Sequence, residues 1–366
     1  MLSRVANSLY WMSRYIERAE SIARLVDVNL QLLLDFRNLD DDALAAHWLP
    51  IVQSSGDEEL FRRLHAKPTG QSVTEFLVFQ TENPNSIISS IAAGRENARM
   101  VRDQITAELW EELNRVYLFL RSPRARKLWR ENPSDFFLTI RNASLLLQGL
   151  TDATIVRNEG WFFIQCGRYL ERADKTSRIL DVRHESLPAR GAPTGPPSQA
   201  DALGWAAVLR SCSAWDAYKA VHGAEVQPAL VAELLLLSDE FPRSVRFSVR
   251  HLNAALRRIS GVHEGRFSND AEKLAGRLLA ELQFSTADDI FDIGLHTYID
   301  VAQAKLNAIG DALFQAYIFQ PFQTPEEYEL RQQEEQQQQS LPGFRASGNP
   351  GQTPGGRPAA PGLPPA

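Results

Sequence analysis

Cysteine is nearly absent from this 366-residue chain: Cys166 and Cys212 are the only two, too few for a disulfide framework. A reducing, cytoplasmic setting is the expectation that follows. Long apolar runs are missing as well. No stretch approaches the ~18 apolar residues that a membrane-spanning helix needs. The N-terminal residues carry charge every few positions, unlike a secretory leader. Basic charge is not in excess either, because 39 Lys and Arg face 45 Asp and Glu, a formal net charge of −6. That balance argues against a nucleic-acid binder. The chain also lacks a P-loop, a G-x-G-x-x-G, a nucleophile elbow and an H-E-x-x-H, so neither a nucleotide cofactor nor a metal is expected.

What is present is helical periodicity. Apolar residues recur at three- and four-residue spacing through most of the first 320 positions, with no hairpin or βαβ rhythm. From Arg331 the chain turns to Gln and Glu, and half of the residues from Leu341 to Ala366 are Pro or Gly. Such a segment cannot bury enough apolar surface to fold, so 323–366 is expected to be a disordered tail. A shorter break at 186–200 holds four prolines and two glycines and reads as a linker or surface loop.

The chain also repeats itself. Arg14-Tyr15-Ile16-Glu17-Arg18-Ala19-Glu20 returns as Arg168-Tyr169-Leu170-Glu171-Arg172-Ala173-Asp174, 154 residues later. A second anchor lies at offset 157, where Trp48, Phe61 and His65 answer to Trp205, Tyr218 and His222. A third lies at offset 158, matching Pro84, Ser86 and Ile87 to Pro242, Ser244 and Val245. Three ordered anchors predict an all-α bundle built by tandem duplication of a unit of roughly 155 residues, with halves 1–153 and 154–322.

On a helical wheel the first copy puts Tyr15, Ile16, Ala19, Ile22, Ala23 and Val26 on an apolar arc. Glu17, Glu20, Arg24 and Asp27 form the charged stripe beside it, and Arg14 and Arg18 a third. The second copy places Glu171, Asp174, Arg178 and Asp181 on its charged stripe and pairs Arg168 with Arg172. Like charges one turn apart repel, and guanidinium pairs persist most easily around a shared oxyanion. Two readings stay open at this level. The arginines pair with acids of neighbouring helices and fix the register of the bundle, or with the glutamates they line a site for an anionic ligand or partner.

Other clusters carry weaker signals. Asp288, Asp292, His296 and Asp300, spaced by four, could share a helix face, yet the Glu-x-x-His pairs of a bundle metal site are absent and a solvated acidic face is expected. The basic run Arg121, Arg124, Arg126, Lys127 and Arg130 reads as a solvated face. Cys166 reads as a small packed residue.

The doubled Arg-Tyr-x-Glu-Arg-Ala helix resembles the signature of the alpha-E family, bacterial all-helical proteins named for a Glu-Arg motif. Asn83-Pro84-Asn85-Ser86-Ile87 and Gly94-Arg95-Glu96-Asn97-Ala98-Arg99 resemble the family's central block. Trp110-Glu111-Glu112-Leu113-Asn114 and Phe241-Pro242-Arg243-Ser244-Val245 extend the match over about 1–322. Gly94 stands where the family usually has alanine. Arg95, Glu96, Asn97 and Arg99 carry over as motif positions, as do Glu17, Arg18, Glu171 and Arg172. Family members are typically encoded beside, or fused to, a circularly permuted ATP-grasp protein. The resemblance therefore implies an accessory or partner protein of an ATP-grasp amide or peptide ligase. The alternative is an enzyme in its own right, using the duplicated Glu-Arg helices as an anion-binding acid/base site.

Overall fold

The computed structural model describes residues 1–35, 41–183, 199–263 and 265–319. Most of the expected proline-rich loop at 186–200 and the whole of the expected tail at 323–366 lie outside them. Every regular element among the described residues is helical.

The first half runs α1 (Ser3–Asp35), α2 (Asp41–Ser55), α3 (Glu58–Leu64) and α4 (Gly70–Thr74), which continues into a π-helical turn (Glu75–Phe79). It goes on through α5 (Ile87–Met100), α6 (Ala107–Arg121), α7 (Pro123–Glu131) and α8 (Pro133–Thr154). The second half has α9 (Glu159–Asp181), α10 (Gln199–Ser211), α11 (Trp215–His222) and α12 (Pro228–Ala232), again followed by a π-helical turn (Glu233–Leu237). Then come α13 (Val245–Ser260), α14 (Asp270–Phe284), α15 (Ala287–Ile293) and α16 (Leu295–Leu313), which ends in a third π turn (Phe314–Ile318). The order long helix, three short helices, π turn, medium helix recurs element by element.

Local chemistry recurs with it. Ser86 caps α5 by accepting the Ser89 N–H at 3.2 Å, and Ser244 caps α13 by accepting the Phe247 N–H at 3.0 Å. Each cap satisfies a backbone donor that a helix start leaves free. Pro123 and Pro133 open α7 and α8, where the missing N–H costs nothing. Trp48 and Trp205 are both fully buried, as are Phe61 and Tyr218. His65 stacks on Phe61 and His222 on Tyr218, with ring centroids 5.1 and 5.0 Å apart. These histidines are packing partners of the aromatic ring one turn earlier.

Helices α1 and α9 form the spine. They run side by side in the same direction, Met1 meeting Glu159 near one end and Arg18 meeting Glu171 further along. A tight crossing joins two matched positions, Ser13 and Gly167. A Cβ built on Gly167 would lie 2.2 Å from both Ser13 Oγ and the Tyr10 carbonyl oxygen. Only glycine lets the two backbones meet there. The wheel's apolar arc covers only part of what is buried. Glu17, Glu20, Asp27, Glu171 and Asp174 are buried too, because the charged stripes of α1 and α9 lie within the bundle.

The acidic stripe at the C-terminal end is divided. Gly294, at φ +97°, separates α15 from α16, so Asp288 and Asp292 stand on a different helix from His296 and Asp300. His296 instead reaches back to α9, its Nδ1 2.9 Å from Asp181, while Nε2 lies 3.4 Å from Asp300. The Asp181 hydrogen bond raises the His296 pKa above its ordinary value.

Replacing Gly167 by alanine should lower the thermal midpoint at a cost of roughly 1–3 kcal/mol, because the methyl group overpacks the crossing. Gly149, exposed on α8 with nothing within 4 Å of a built Cβ, is the control. Gly149→Ala should be neutral or slightly stabilising. Equal midpoints for the two variants would contradict the close crossing.

Candidate functional site

A Glu-Arg pair adjacent in a helix points its two side chains about 100° apart, and here Glu17 and Arg18, like Glu171 and Arg172, take partners on the other helix. In this bundle each motif helix pairs with the other. Arg18 grips Glu171 through Nε at 2.6 Å and Nη2 at 3.1 Å. Arg172 grips Glu17 through Nε at 2.7 Å and Nη2 at 3.0 Å. Both are two-pronged guanidinium–carboxylate contacts, the geometry that suits arginine best. The result is a reciprocal clamp across the α1–α9 interface.

Around it the two sides differ. Arg14 donates Nε to Glu171 at 2.7 Å, so the oxyanion shared by Arg14 and Arg18 is a carboxylate of the protein itself. Their counterparts do not share one, because Arg168 turns to Asp152 on α8 at 3.0 Å. Glu17 is instead completed by Gln148, which donates Nε2 at 3.0 Å, and by Arg243 at 3.4 Å. Arg243 also donates to Glu20 at 2.8 Å, and Arg24 pairs with the same carboxylate. In the matched acid, Asp174 pairs with Arg178 at 2.9 Å and Lys175 at 3.0 Å. Where the second half has Arg243, the first has Asn85, whose Oδ1 accepts Arg18 Nη1 at 2.6 Å.

Four carboxylates thus face seven cations: Arg14, Arg18, Arg24, Arg172, Lys175, Arg178 and Arg243. Burial alone would raise the pKa of Glu171, but Arg18, Arg14 and Lys175 outweigh it and hold the group well below the carboxylate range. Burial likewise opposes ionisation of Glu20, yet Arg243 and Arg24 bring it down to about 2. Both are locked as anions.

Little room is left beside Glu17 or Arg18. The space beside Glu17, walled by Gln148, Thr151 and Arg168, is about 10 Å³. The space beside Arg18, Lys175 and Arg178 is about 20 Å³. Either holds about one water.

The central block lies elsewhere. Arg95 donates to Asn114 on α6 at 2.8 Å and stacks over the Trp110 and Tyr117 rings. Glu96 bridges Arg95 and Arg99 at 2.6 and 2.8 Å, and Asn97 donates to the Ala93 carbonyl. The structure therefore joins Arg14, Arg18, Glu171, Asp174 and Arg178 in one set of ion pairs and Glu17, Glu20, Arg24 and Arg172 in a second across the same helix interface, with Arg168 paired apart to Asp152. It does not bring Arg95, Glu96, Asn97 and Arg99 to them. In the basic run, Arg126 pairs with Glu75 at 3.0 Å and Lys127 with Glu131 at 3.9 Å. Cys166 is buried, and burial pushes its thiol pKa up. Sequence reasoning missed Gln148, Asn85, Lys175 and Arg243 as members of these sets. Only Arg243 and Asn85 left a signal, since both sit inside the third repeat anchor.

Glu171→Gln should destabilise the fold by about 3–5 kcal/mol, because it leaves buried cations uncompensated. Arg62→Ala, which removes an exposed pair with Glu58, should stay within about 0.5 kcal/mol. The folded-state pKa values of Glu171 and Glu20 lie below the unfolded value of about 4.5. Their stabilisation is therefore complete above about 4.5 and is lost as pH falls toward the folded values, about 2 for Glu20. Denaturation followed against pH should show that acid-side loss. Unchanged stability down to about pH 2 would contradict the clamp.

A family model, Alpha-E, described as a predicted alpha-helical domain with a conserved ER motif, matches residues 1–318. Uncharacterized proteins of Mycobacterium bovis and Mycobacterium tuberculosis are 24% identical over 316 residues, covering 79% of this chain and 33% of theirs. The chain thus spans about a third of the length of the curated relatives it matches. No solved structure matches it.

Proposed function

The chain belongs to the Alpha-E family, and from that premise we propose that it is an accessory or partner protein of a circularly permuted ATP-grasp amide or peptide ligase. The observation that carries this reading is the closure of the motif on itself. Glu17 and Glu171 are each engaged by two arginines, and both are locked against helices rather than facing a substrate-sized hollow. A general acid needs a proton to give, and a general base needs access to the atom it deprotonates. Glu171, held far below its ordinary pKa among cations, has neither. The motif's work is to hold α1 against α9, which leaves the outer surface of the bundle to carry the function.

The relatives' greater length fits a module that operates joined to other segments. The nature of those segments, an ATP-grasp ligase, comes from the family resemblance. We also read the chain as two copies of one unit. The element-by-element recurrence of helices, caps and buried aromatics supports this.

Co-expression with the neighbouring ATP-grasp protein should yield a complex that survives size exclusion. The rate of ATP hydrolysis, with an acceptor amine present, should change when this chain is added. Absence of both a complex and a rate change would sink the proposal. Arg18→Ala combined with Arg172→Ala should lose partner binding only to the extent that it loses helical signal. A fully folded double variant that binds the partner but no longer alters turnover would favour the enzyme reading instead.

A further inference from the structure

The two halves differ most at one place on the spine, where each motif helix meets the last long helix of a half. On the first side α8 presents Leu147, Gln148, Thr151 and Asp152. On the second, α16 presents Leu306, Asn307, Gly310 and Asp311 at a constant offset of 159. The first set is filled in. Gln148 bonds both Glu17 and Arg172, Thr151 donates to the Leu147 carbonyl at 2.8 Å, and Asp152 closes on Arg168 at 3.0 Å. Only about 10 Å³ remains.

In the second set each residue reaches less far. Asn307 is one methylene shorter than Gln148, and Gly310 has no side chain where Thr151 has three heavy atoms. Asp311 is exposed and has no ion-pair partner among the described residues. The space that opens is about 370 Å³, within the range of small-molecule sites. A Cβ on Gly310 would stand 3.3 Å from Leu170, 3.7 Å from the Tyr10 hydroxyl and 4.0 Å from Arg14 Nη1. A side chain longer than a methyl group there would take up the space beside the Arg14 guanidinium.

The walls carry both signs of charge. Arg14 spends Nε on Glu171 and Nη1 on Tyr10, leaving Nη2 without a partner among the described residues. It belongs to a set of ion pairs in which four cations, Arg14, Arg18, Lys175 and Arg178, face two carboxylates, Glu171 and Asp174, so an added carboxylate is electrostatically favoured there. Exposed Asp311 supplies negative charge, Asp174 lines the cleft already paired with Arg178 and Lys175, and Trp11, Leu170, Leu306 and Phe314 give apolar surface.

We propose that this cleft binds a small zwitterion, an amino acid or short peptide, with its carboxylate on Arg14, its ammonium on Asp311 and its apolar side chain against Leu170, Leu306 and Phe314. This rests on the cavity alone and stands or falls separately from the ATP-grasp partnership.

Calorimetric titration of the full chain with glycyl-L-leucine tests it, beside its N-acetyl and C-terminal amide forms and free L-leucine. The dipeptide should bind saturably, and each cap should weaken it by about tenfold or more, the worth of one lost charged contact. L-leucine tells whether a free amino acid suffices. Gly310→Thr, which restores the first half's residue, should abolish binding. Asp311→Asn, on the exposed rim, should weaken the free dipeptide about tenfold and leave the N-acetyl form unchanged. Thermal midpoints of both variants verify folding. No binding of either uncapped probe at roughly 10 mM, or equal binding of capped and uncapped dipeptides, would overturn the proposal.

Discussion

Everything in this bundle is organised around two buried carboxylates whose two-pronged arginine partners come from the opposite helix of the spine. Glu17 and Arg18 are neighbours in the chain, yet Glu17 belongs to Arg172 and Arg18 to Glu171. An isolated buried charge is far more costly than any packing error. The α1–α9 pair is therefore allowed one register, and a slip of one turn would strand all four groups. The Ser13–Gly167 contact works with this constraint. It brings the helices close enough for short, two-pronged contacts to span the interface.

Charge of this kind need not raise net stability, since well-packed apolar side chains of similar volume often do as well. Its contribution here is specificity. Two long helices with similar apolar arcs could pack in several rotations, and the clamp selects among them. The surplus of cations in these ion pairs gives the site a second property, a standing attraction for anions on its flanks. The sides handle that surplus differently. On one flank Asp152 answers Arg168, whereas on the other Arg14 keeps a guanidinium edge turned toward an open cleft.

Much of the fold was legible in the sequence because repetition amplifies weak signals. Helix periodicity alone would have given the class. The matched Trp48 and Trp205, and the matched prolines and serines of the third anchor, placed the two halves in register. The charged stripe was legible as a stripe but not as an interior. Periodicity reports which residues share a face, and cannot say whether a neighbouring helix or water covers it. Gln148 escaped notice for a related reason: its partners are fixed by packing between helices, and polar residues on helices are ordinarily solvated. Lys175 pairs on its own helix with Asp174 and with Glu171, the latter at a four-residue spacing that the sequence does display. The division at Gly294 was missed because a regular spacing of four runs straight across it from Asp288 to Asp300.

The clamp also sets an order of assembly. Its contacts join residues about 155 positions apart, so they form only after most of the first half and α9 have left the ribosome. Until Arg172 emerges, Glu17 has no partner on the far helix, and α1 is held back from its final burial by the cost of desolvating a lone anion. Long-range closure of this kind slows folding relative to a bundle stitched by local pairs. The two-pronged partner of Glu17 is thus among the last of its contacts to become available.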